Sequence, residues 1–174
     1  MREILFRAKE TFNGEWVEGY YEFGYDAETE TPAHYMWVLN HTEKYGEMFM
    51  VIPETVGQYT GLTDKNGKRI FEGDVLKVKH GILGREEEKP KMPRNAYGMH
   101  YIENERNMYG RWFYYRNYAV EYKAHGNSRG KYIVRNGSDQ CDFTNSLFYN
   151  HDAEILGNIH DNPELLKYES EGEG

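Results

Sequence analysis

Short runs of apolar and aromatic residues alternate along this chain with clusters of glycine, asparagine, aspartate and proline. Apolar positions rarely recur with helical spacing, so the pattern predicts many short strands joined by turns. In the first third of the sequence, Asn13-Gly14 is expected to turn one strand into the next. Pro53 is expected to end a strand, because proline cannot donate a ladder hydrogen bond. The strands predicted here cover residues 4–8, 16–23, 34–39 and 48–52.

The densest alternation of strand and turn residues lies between Val56 and Lys79, and the rest of the chain is expected to be arranged around it. The run Asp64-Lys65-Asn66-Gly67 predicts a tight hairpin turn, since Asn and Gly both tolerate positive φ angles. Strand-forming residues follow this turn. Gly73-Asp74 interrupts them at the position of a bulge or a second bend. Residues 75–79 then have the pattern of a half-buried strand.

The second half of the chain contains a further predicted hairpin. Residues 119–123 and 131–135 have strand character on either side of a glycine-bounded loop, and residues 136–139 are typical of a turn. Residues 144–149 fit either a short helix or a strand, and the sequence leaves both open.

A closing strand and a helix start are predicted near the C-terminal end of the sequence. Ile155 to Ile159 should form the strand, with Gly157 allowing the bend that small barrels need. Asn162-Pro163-Glu164 has the residues of a helix start, with asparagine as the cap and proline at the first helical position. The acidic residues 167–174 are expected to be a flexible tail.

Residues 80–117 differ in character from the rest of the sequence. Residues 86–93 combine a charge cluster with two prolines, and the segment that follows is dense in Tyr, Asn and Arg. We interpret this part as an insertion, flexible around 85–95, because long excursions within a compact domain are often functional or disordered. It is either a solvated loop whose aromatic residues fold onto the core or a surface for a partner or a second copy. The candidate interface residues are Tyr109, Arg111, Trp112, Phe113, Tyr114 and Tyr115.

Polar residues of the central stretch would line a shared pocket if the hairpin folded back beside the closing strand. The alternative is that they satisfy backbone groups in turns, as Asp and Asn side chains commonly do. Gly73 and Gly157 are interpreted as backbone geometry rather than as ligand cradles. We expect the whole set to be structural, and its members are Gln58, Tyr59, Thr60, Gly61, Asp64, Gly67, Gly73, Asp74, Gly157 and Asn158.

The composition narrows the classes of function. The 174 residues are enough for one well-cored domain, or for a domain with a large insertion. The net charge of −8 is opposite in sign to that of a general phosphate binder, so bulk nucleic-acid binding is disfavoured. A local basic patch stays open, since Arg106, Arg111 and Arg116 lie among aromatic residues. Aromatic residues make up 16% of the chain and there are 18 glycines, which favours a mainly β protein.

Familiar catalytic and metal-binding motifs are not recognised in the sequence. The segment from Gly61 to Lys68 has the wrong spacing for a phosphate-binding loop, and Arg69 replaces the required Ser or Thr. The glycine after Asn66 comes too early for a calcium loop. The seven histidines show no zinc spacing, and adjacent side chains such as those of His151-Asp152 point to opposite faces of a strand. We therefore predict neither a cofactor nor an enzyme.

The single cysteine, Cys141, excludes an intramolecular disulfide, as is expected in a reducing compartment. Charged residues surround the short apolar run at the beginning of the sequence, which does not fit a secretory signal. No long apolar segment predicts a membrane span. We expect the protein to lie in the cytoplasm.

Several of these segments resemble the YopX-like family of phage and prophage proteins. The resemblance is carried by Met1 to Arg7, by the run from Ile52 through GQYTGLTDKNGKRIFEGDV, and by Ile155 to Ile159 with Asp161 to Leu166. It covers the first 79 residues and about the last 45. It implies a bacterial-cell location and a small SH3-like β-barrel with an N-terminal β-hairpin extension. It implies no catalytic residues, because the family's biochemical role is unassigned.

The sequence and this resemblance predict an extension in residues 1–55 and a barrel region in 56–166, interrupted by the insertion at 80–117. The expected function is that of a phage or prophage accessory protein that binds a host or phage protein or forms a homo-oligomer. The first alternative is a nucleic-acid-associated module in replication or regulation, which rests on fold analogy. The second alternative is an enzyme whose site the sequence does not reveal.

Overall fold

The computed structural model of the protein describes residues 4–38, 46–81, 99–106, 112–125, 128–136, 139–142 and 153–166. The chain divides into two compact units. The first unit contains residues 1–62 and 69–72, and the second contains residues 63–68 and 73–174. The extension, barrel and insertion boundaries expected from the sequence stay predictions.

The first unit is built on one antiparallel sheet. Its strands lie in the spatial order β4-β3-β2-β1-β5-β6. An isolated antiparallel bridge between Glu10 and Val51 adds to this pairing. The strands are β1 Phe6–Lys9, β2 Trp16–Tyr25, β3 Pro32–Val38, β4 Glu47–Met50, β5 Gly57–Thr63 and β6 Arg69–Phe71, and a 3-10 helix, Pro53–Thr55, precedes β5.

One face of this sheet forms a hydrophobic core. The strand register places Met36 opposite Tyr21 on one side and opposite Phe49 on the other, so these three side chains share a face. Ala8, Met36 and Val51 are buried at the centre of the core. The partly buried side chains packed against them are Phe6, Val17, Tyr21, Val38, Phe49 and Val56.

The turn between β5 and β6 lies at the predicted position. The backbone N–H of Asp64 donates to the carbonyl of Lys68 at 2.8 Å, and that of Gly67 donates to the carbonyl of Asp64 at 2.9 Å. Gly67 has a φ of +81°, a conformation that glycine adopts without strain. The turn belongs to the second unit, where the N–H of Lys65 donates to the carbonyl of Ala153 at 2.9 Å.

The second unit is built on a second antiparallel sheet with the order β11-β10-β9-β7-β12, and β8 also pairs with β9. The closing strand β12 therefore pairs with β7, far away in sequence, and its last residue Asn158 lies opposite Asp74. The strands are β7 Asp74–Gly81, β8 Met99–Arg106, β9 Trp112–His125, β10 Ser128–Asn136, β11 Asp139–Asp142 and β12 Glu154–Asn158, and a 3-10 helix, Pro163–Leu166, follows.

The core of this unit is centred on β7. Val75 and Leu76 are both fully buried although they face opposite sides of the sheet. Their partners on β9 are Ala119 and Tyr118, which are also buried. A strand that is buried on both faces has a continuous apolar run instead of alternating apolar and polar residues. The sequence Val75-Leu76-Lys77-Val78 has this character except at Lys77.

The prediction of a mainly β protein is confirmed, and helical structure in the described ranges is limited to the two 3-10 helices. The prediction of a closed barrel is wrong for these ranges, because both sheets have outer strands: β4 and β6 in the first, and β8, β11 and β12 in the second. The finer SH3-like assignment stays a prediction. The strand β8 and the first half of β9 lie within the segment interpreted as an insertion, and neither was predicted.

Candidate interaction surface

Four of the polar and glycine residues singled out in the sequence lie on β5 in the first unit. The N–H of Gln58 donates to the carboxylate of Glu72 at 2.8 Å, and the hydroxyl of Thr60 donates to the carbonyl of Ile70 at 2.8 Å. The ring of Tyr59 lies 5.5 Å from the ring of Phe71. Gly61 is exposed, with a φ of +84°. These contacts connect β5 to β6 and to Glu72, the residue that follows β6.

Asp64 lies at the centre of the turn in the second unit and is 6% exposed. Its carboxylate accepts backbone hydrogen bonds from Asn66 at 2.8 Å, Lys68 at 2.9 Å and Ile155 at 3.3 Å. Burial raises the pKa of this carboxyl, but the donations from Lys68, Asn66 and Ile155 outweigh it, and the pKa lies below its ordinary value. The carboxylate therefore holds the turn against β12 in its ionised form.

The remaining residues of that set meet where β7 begins and β12 ends. Gly73, with a φ of +81°, donates its N–H to the carbonyl of Val120 and accepts from the N–H of Ile159. Asp74 is 1% exposed and accepts from the side-chain amide of Asn158 at 3.4 Å. Gly157 lies at an irregularity in the pairing of β12 with β7. The second unit thus contains Asp64, Gly67 and the four residues at the β7–β12 junction. The first unit contains Gln58 to Gly61.

The predicted interface residues are only partly within the described ranges. Tyr109 and Arg111 lie outside them. Trp112, Phe113, Tyr114 and Tyr115 lie on β9, where the backbone pairs with β7 and β8, and their side chains are outside the description. The proposal of an interface at this position stays a prediction.

A different surface exposes large apolar side chains, and it lies on the first sheet opposite the core. The register pairs Tyr20 with Trp37 and Trp37 with Met48, so these three side chains form a row across β2, β3 and β4. The adjacent row contains Tyr35 and Met50. We call these five residues the Trp37 patch. Four of them are substantially exposed: Met48 by 51%, Tyr20 by 48%, Met50 by 40% and Trp37 by 37%.

The Trp37 patch is ordered by its own hydrogen bonds. The indole N–H of Trp37 donates to the carboxylate of Glu22, which pairs with Tyr35 on the same face. The hydroxyl of Tyr35 donates to the carbonyl of Tyr25 at 3.4 Å. These contacts connect two of the aromatic rings of the patch to polar groups of the same hairpin.

Aromatic residues are also exposed on the other face of the β2–β3 hairpin, towards its loop. The ring of Phe23 lies 5.2 Å from that of His34 and 6.2 Å from that of Tyr25. Phe23 is 53% exposed and Tyr25 is 67% exposed. Further along the same face, next to the core, the hydroxyl of Tyr21 lies 2.7 Å from Nδ1 of His34. The hairpin therefore exposes aromatic rings on both faces near its loop.

Sequence reasoning missed the Trp37 patch because the apolar residues of β3 do not alternate with polar ones. Met36 and Trp37 are adjacent and both large, yet one is fully buried and the other exposed. The signal that was available is the density of Trp, Tyr and Met in two neighbouring strands, which are residue types enriched at interfaces.

Among the residues that the structure describes, no three His, Cys, Asp or Glu side chains are grouped as a metal site would require. A helix long and apolar enough to span a bilayer is likewise not found in these ranges.

The fold and the exposed face define a mainly β protein with two antiparallel sheets and an aromatic surface on the first. A family model described as YopX protein matches residues 5–167, which is nearly the whole sequence. The chain belongs to the YopX family. The resemblance seen in the sequence is thereby confirmed, and the match also spans the middle of the chain, which the resemblance had left out.

No curated protein matches the chain. Among solved structures, the crystal structure of protein EF1440 from Enterococcus faecalis is similar, with 22% sequence identity. The match covers 96% of this chain and 100% of that chain, with a TM-score of 0.42.

Proposed function

We propose that this YopX-family protein acts by binding another protein, and that the Trp37 patch is its binding surface. The observation that carries the proposal is the row of Tyr20, Trp37 and Met48, which is exposed on a sheet whose opposite face forms the core. Its role as a phage or prophage accessory protein in a bacterial cytoplasm is part of the proposal and follows from the family resemblance alone.

The composition of the patch supports a protein partner. Tyr, Trp and Met are enriched in protein interfaces, and contiguous exposed apolar patches on soluble proteins commonly mark interaction sites. The patch also reaches β4, an outer strand of the sheet. Part of the outer edge of β4 is already occupied, because the carbonyl of Met50 accepts from the N–H of Thr11 at 2.9 Å and from its hydroxyl at 2.6 Å. The exposed side chains are therefore what the patch offers to a partner.

The cations near aromatic rings in the first unit do not favour nucleic acid as the ligand. The guanidinium of Arg7 lies 4.6 Å from the ring of Trp16 and 4.8 Å from that of Phe71, but this side chain is buried. Lys9 lies 5.5 Å from the ring of Trp16. Arg69 lies 5.9 Å from the ring of Tyr59 and 3.5 Å from the carboxylate of Glu18. Both rings concerned, those of Trp16 and Tyr59, are only half-buried rather than exposed. Nucleic-acid binding on stacked bases needs exposed cations beside exposed rings, and here the exposed rings of the patch adjoin Glu22 instead.

Site-specific crosslinking tests the proposal. A photo-reactive amino acid is placed at position 48 in the full chain, and a control chain carries it at position 12, where Phe12 is 95% exposed at the tip of the β1–β2 hairpin. Both chains are irradiated in nuclease-treated host lysate. We expect a discrete protein adduct from position 48 that is absent from position 12 and is reduced by Trp37→Ala.

Identical adducts from both positions, or none from position 48, would contradict the proposal. Light scattering of the purified chain at several concentrations separates a second copy from a different partner. An adduct between two copies that Trp37→Ala abolishes would make the patch a self-association surface, which is the homo-oligomer form of the same function.

A further inference from the structure

The β2–β3 hairpin that carries most of the Trp37 patch contains no cationic side chain. No Lys or Arg occurs between Lys9 and Lys44, and the range includes all of β2 and β3. The carboxylates in the same range are Glu10, Glu15, Glu18, Glu22, Asp26, Glu28, Glu30 and Glu43. Five of these carboxylates, Glu18, Glu22, Asp26, Glu28 and Glu30, lie on the hairpin that also exposes aromatic rings.

Two of these carboxylates, Glu22 and Glu18, lie on the face of the sheet that carries the Trp37 patch. Glu22 is exposed within it and uses one carboxylate oxygen to accept from Trp37. A carboxylate has about four acceptor positions, so Glu22 retains capacity for a partner's donors. Glu18 is exposed on the same face of β2 and pairs with Arg69, whose side chain is 46% exposed. This surface ion pair is weak enough to exchange for another cation.

The loop of the hairpin adds fixed negative charge. The carboxylate of Asp26 accepts from the backbone N–H of Thr29 at 2.8 Å, from its hydroxyl at 2.8 Å, and from the N–H of Glu28 at 3.1 Å. The bonds from Thr29 hold the pKa of this carboxyl below its ordinary value. Glu28 and Glu30 are exposed in the same loop, which follows Tyr25 at the end of β2.

An acidic surface with exposed rings has a preferred partner on electrostatic grounds. A second copy docked on the same face would place Glu22 and Glu18 near identical carboxylates, which costs binding energy. A nucleic acid would meet the same repulsion from its phosphates. A Lys- or Arg-rich segment gains twice, because its cations pair with the carboxylates and lie against the faces of Trp and Tyr rings.

Building on the protein-binding function proposed above, we infer that the partner presents a Lys- or Arg-rich segment to the β2–β3 hairpin. The rings of Tyr20 and Trp37 provide the faces for its cations, and Glu22 and Glu18 provide the opposing charges. Recognition of this kind weakens as salt is added, since exposed charges are screened over about 8 Å at physiological ionic strength.

Fluorescence anisotropy with three labelled peptides of equal length tests the inference on the full chain. The probes alternate threonine with arginine, with glutamine or with glutamate. We expect the arginine peptide to bind and the other two not to bind. Glu22→Gln should weaken its Kd about two- to five-fold, because one exposed ion pair is lost while an acceptor for Trp37 is kept. Glu54→Gln is the matched control, since Glu54 is exposed outside the hairpin and its loss changes the net charge equally.

Trp37→Ala separates a ring contribution from general attraction to an acidic protein. It should weaken arginine-peptide binding, and Met48→Gln is the second patch variant should Trp37→Ala unfold in a circular dichroism check. Phe12→Ala should have no effect. Equal effects of Glu22→Gln and Glu54→Gln, or no binding of the arginine peptide, would overturn the inference.

Two outcomes separate this inference from the function on which it rests. If all three peptides bind equally and Trp37→Ala weakens each of them, the patch binds protein segments without preference for charge. The inference then fails while the proposed function stands. If an adduct forms at position 48 with a protein that presents no basic segment, the same conclusion holds.

Discussion

Replacing Asp64 by alanine should destabilise the second unit, because its carboxylate is a shared acceptor within a turn. The carboxylate is 6% exposed and is the common acceptor for the backbone N–H groups of Asn66, Lys68 and Ile155. Alanine removes all three bonds at once. Asparagine keeps one neutral oxygen for the turn and presents an amide nitrogen where the second oxygen was.

The magnitude follows from the number and surroundings of the donors. A hydrogen bond to a charged group contributes about 1.5–3 kcal/mol. Water can replace the acceptor for Asn66 and Lys68, which are exposed, but less readily for the N–H of Ile155 within the sheet. We therefore expect Asp64→Ala to lower the free energy of unfolding by about 3 kcal/mol and Asp64→Asn by about half as much.

Amide hydrogen exchange followed by NMR is the appropriate measurement, because a chain with two compact units need not unfold in one transition. A loss of about 3 kcal/mol accelerates exchange at the Ile155 amide about 100-fold. Lys65→Ala is the control in the same turn. Acceleration of less than tenfold by Asp64→Ala, or equal effects of the alanine and asparagine variants, would refute the reasoning.

Acid should reproduce part of this effect. Because the pKa of Asp64 is lowered in the folded protein, its contribution to stability is fully present above the unfolded pKa of about 4. The contribution is lost as pH falls through the folded pKa. The exchange rates of the Ile155 amide in the native chain and in Asp64→Asn, each corrected for its intrinsic pH dependence, should therefore converge as pH falls below about 5. A constant ratio of the two rates would contradict the assignment.

Three further predictions concern other features. Gly19→Ala should cost about 2 kcal/mol or more, because its Cβ would overlap a backbone carbonyl of β3, whereas Gly24→Ala on the same strand makes only ordinary contacts; thermal melts compare them. Lys65 lies 2.6 Å from Glu154 with both side chains over a third exposed, so a double-mutant cycle should give a coupling below about 1 kcal/mol. Phe12→Ser should change stability by less than about 0.5 kcal/mol, as chemical denaturation will show.

The parts of the fold that could be predicted are those set by local chemistry. The turn at Asp64 to Gly67 requires positive φ and an acceptor for its N–H groups, and both requirements appear in four consecutive residues. Pro53 begins a 3-10 helix and is separated from the end of β4 by Val51 and Ile52. Such features depend on neighbours within a few residues, so the sequence states them directly.

Pairing between distant strands could not be predicted in this way. The hairpin of β5 and β6 pairs with β1 in the first sheet. The barrel prediction assumed instead that this hairpin and β7 belong to one sheet. The strand β8 contains His, Asn, Glu and Arg, which gave no alternation to recognise. This segment forms a strand because it pairs with β9, although its composition does not predict a strand.

The sequence predicted an interface at residues 109–115 and not at the Trp37 patch, and the reason is related. In β2 and β3, consecutive residues such as Tyr20 and Tyr21 are apolar on both faces, so periodicity cannot tell the core side from the outer side. That choice is made by the partners across the sheet. Tyr21 faces fully buried Met36, whereas Tyr20 faces exposed Trp37.

The pairing of β12 with β7 has a consequence during synthesis. The described parts of the first unit are complete once residue 72 has left the ribosome, but Asp74 waits for Asn158, 84 residues later. At about 5–20 residues per second, translation of that interval takes on the order of 4–17 s. For that time one edge of β7 has unpaired backbone groups beside apolar side chains, which is the condition under which strands of nascent chains associate wrongly. The speed of translation through residues 74–158 should therefore control how much of this protein is recovered in folded form.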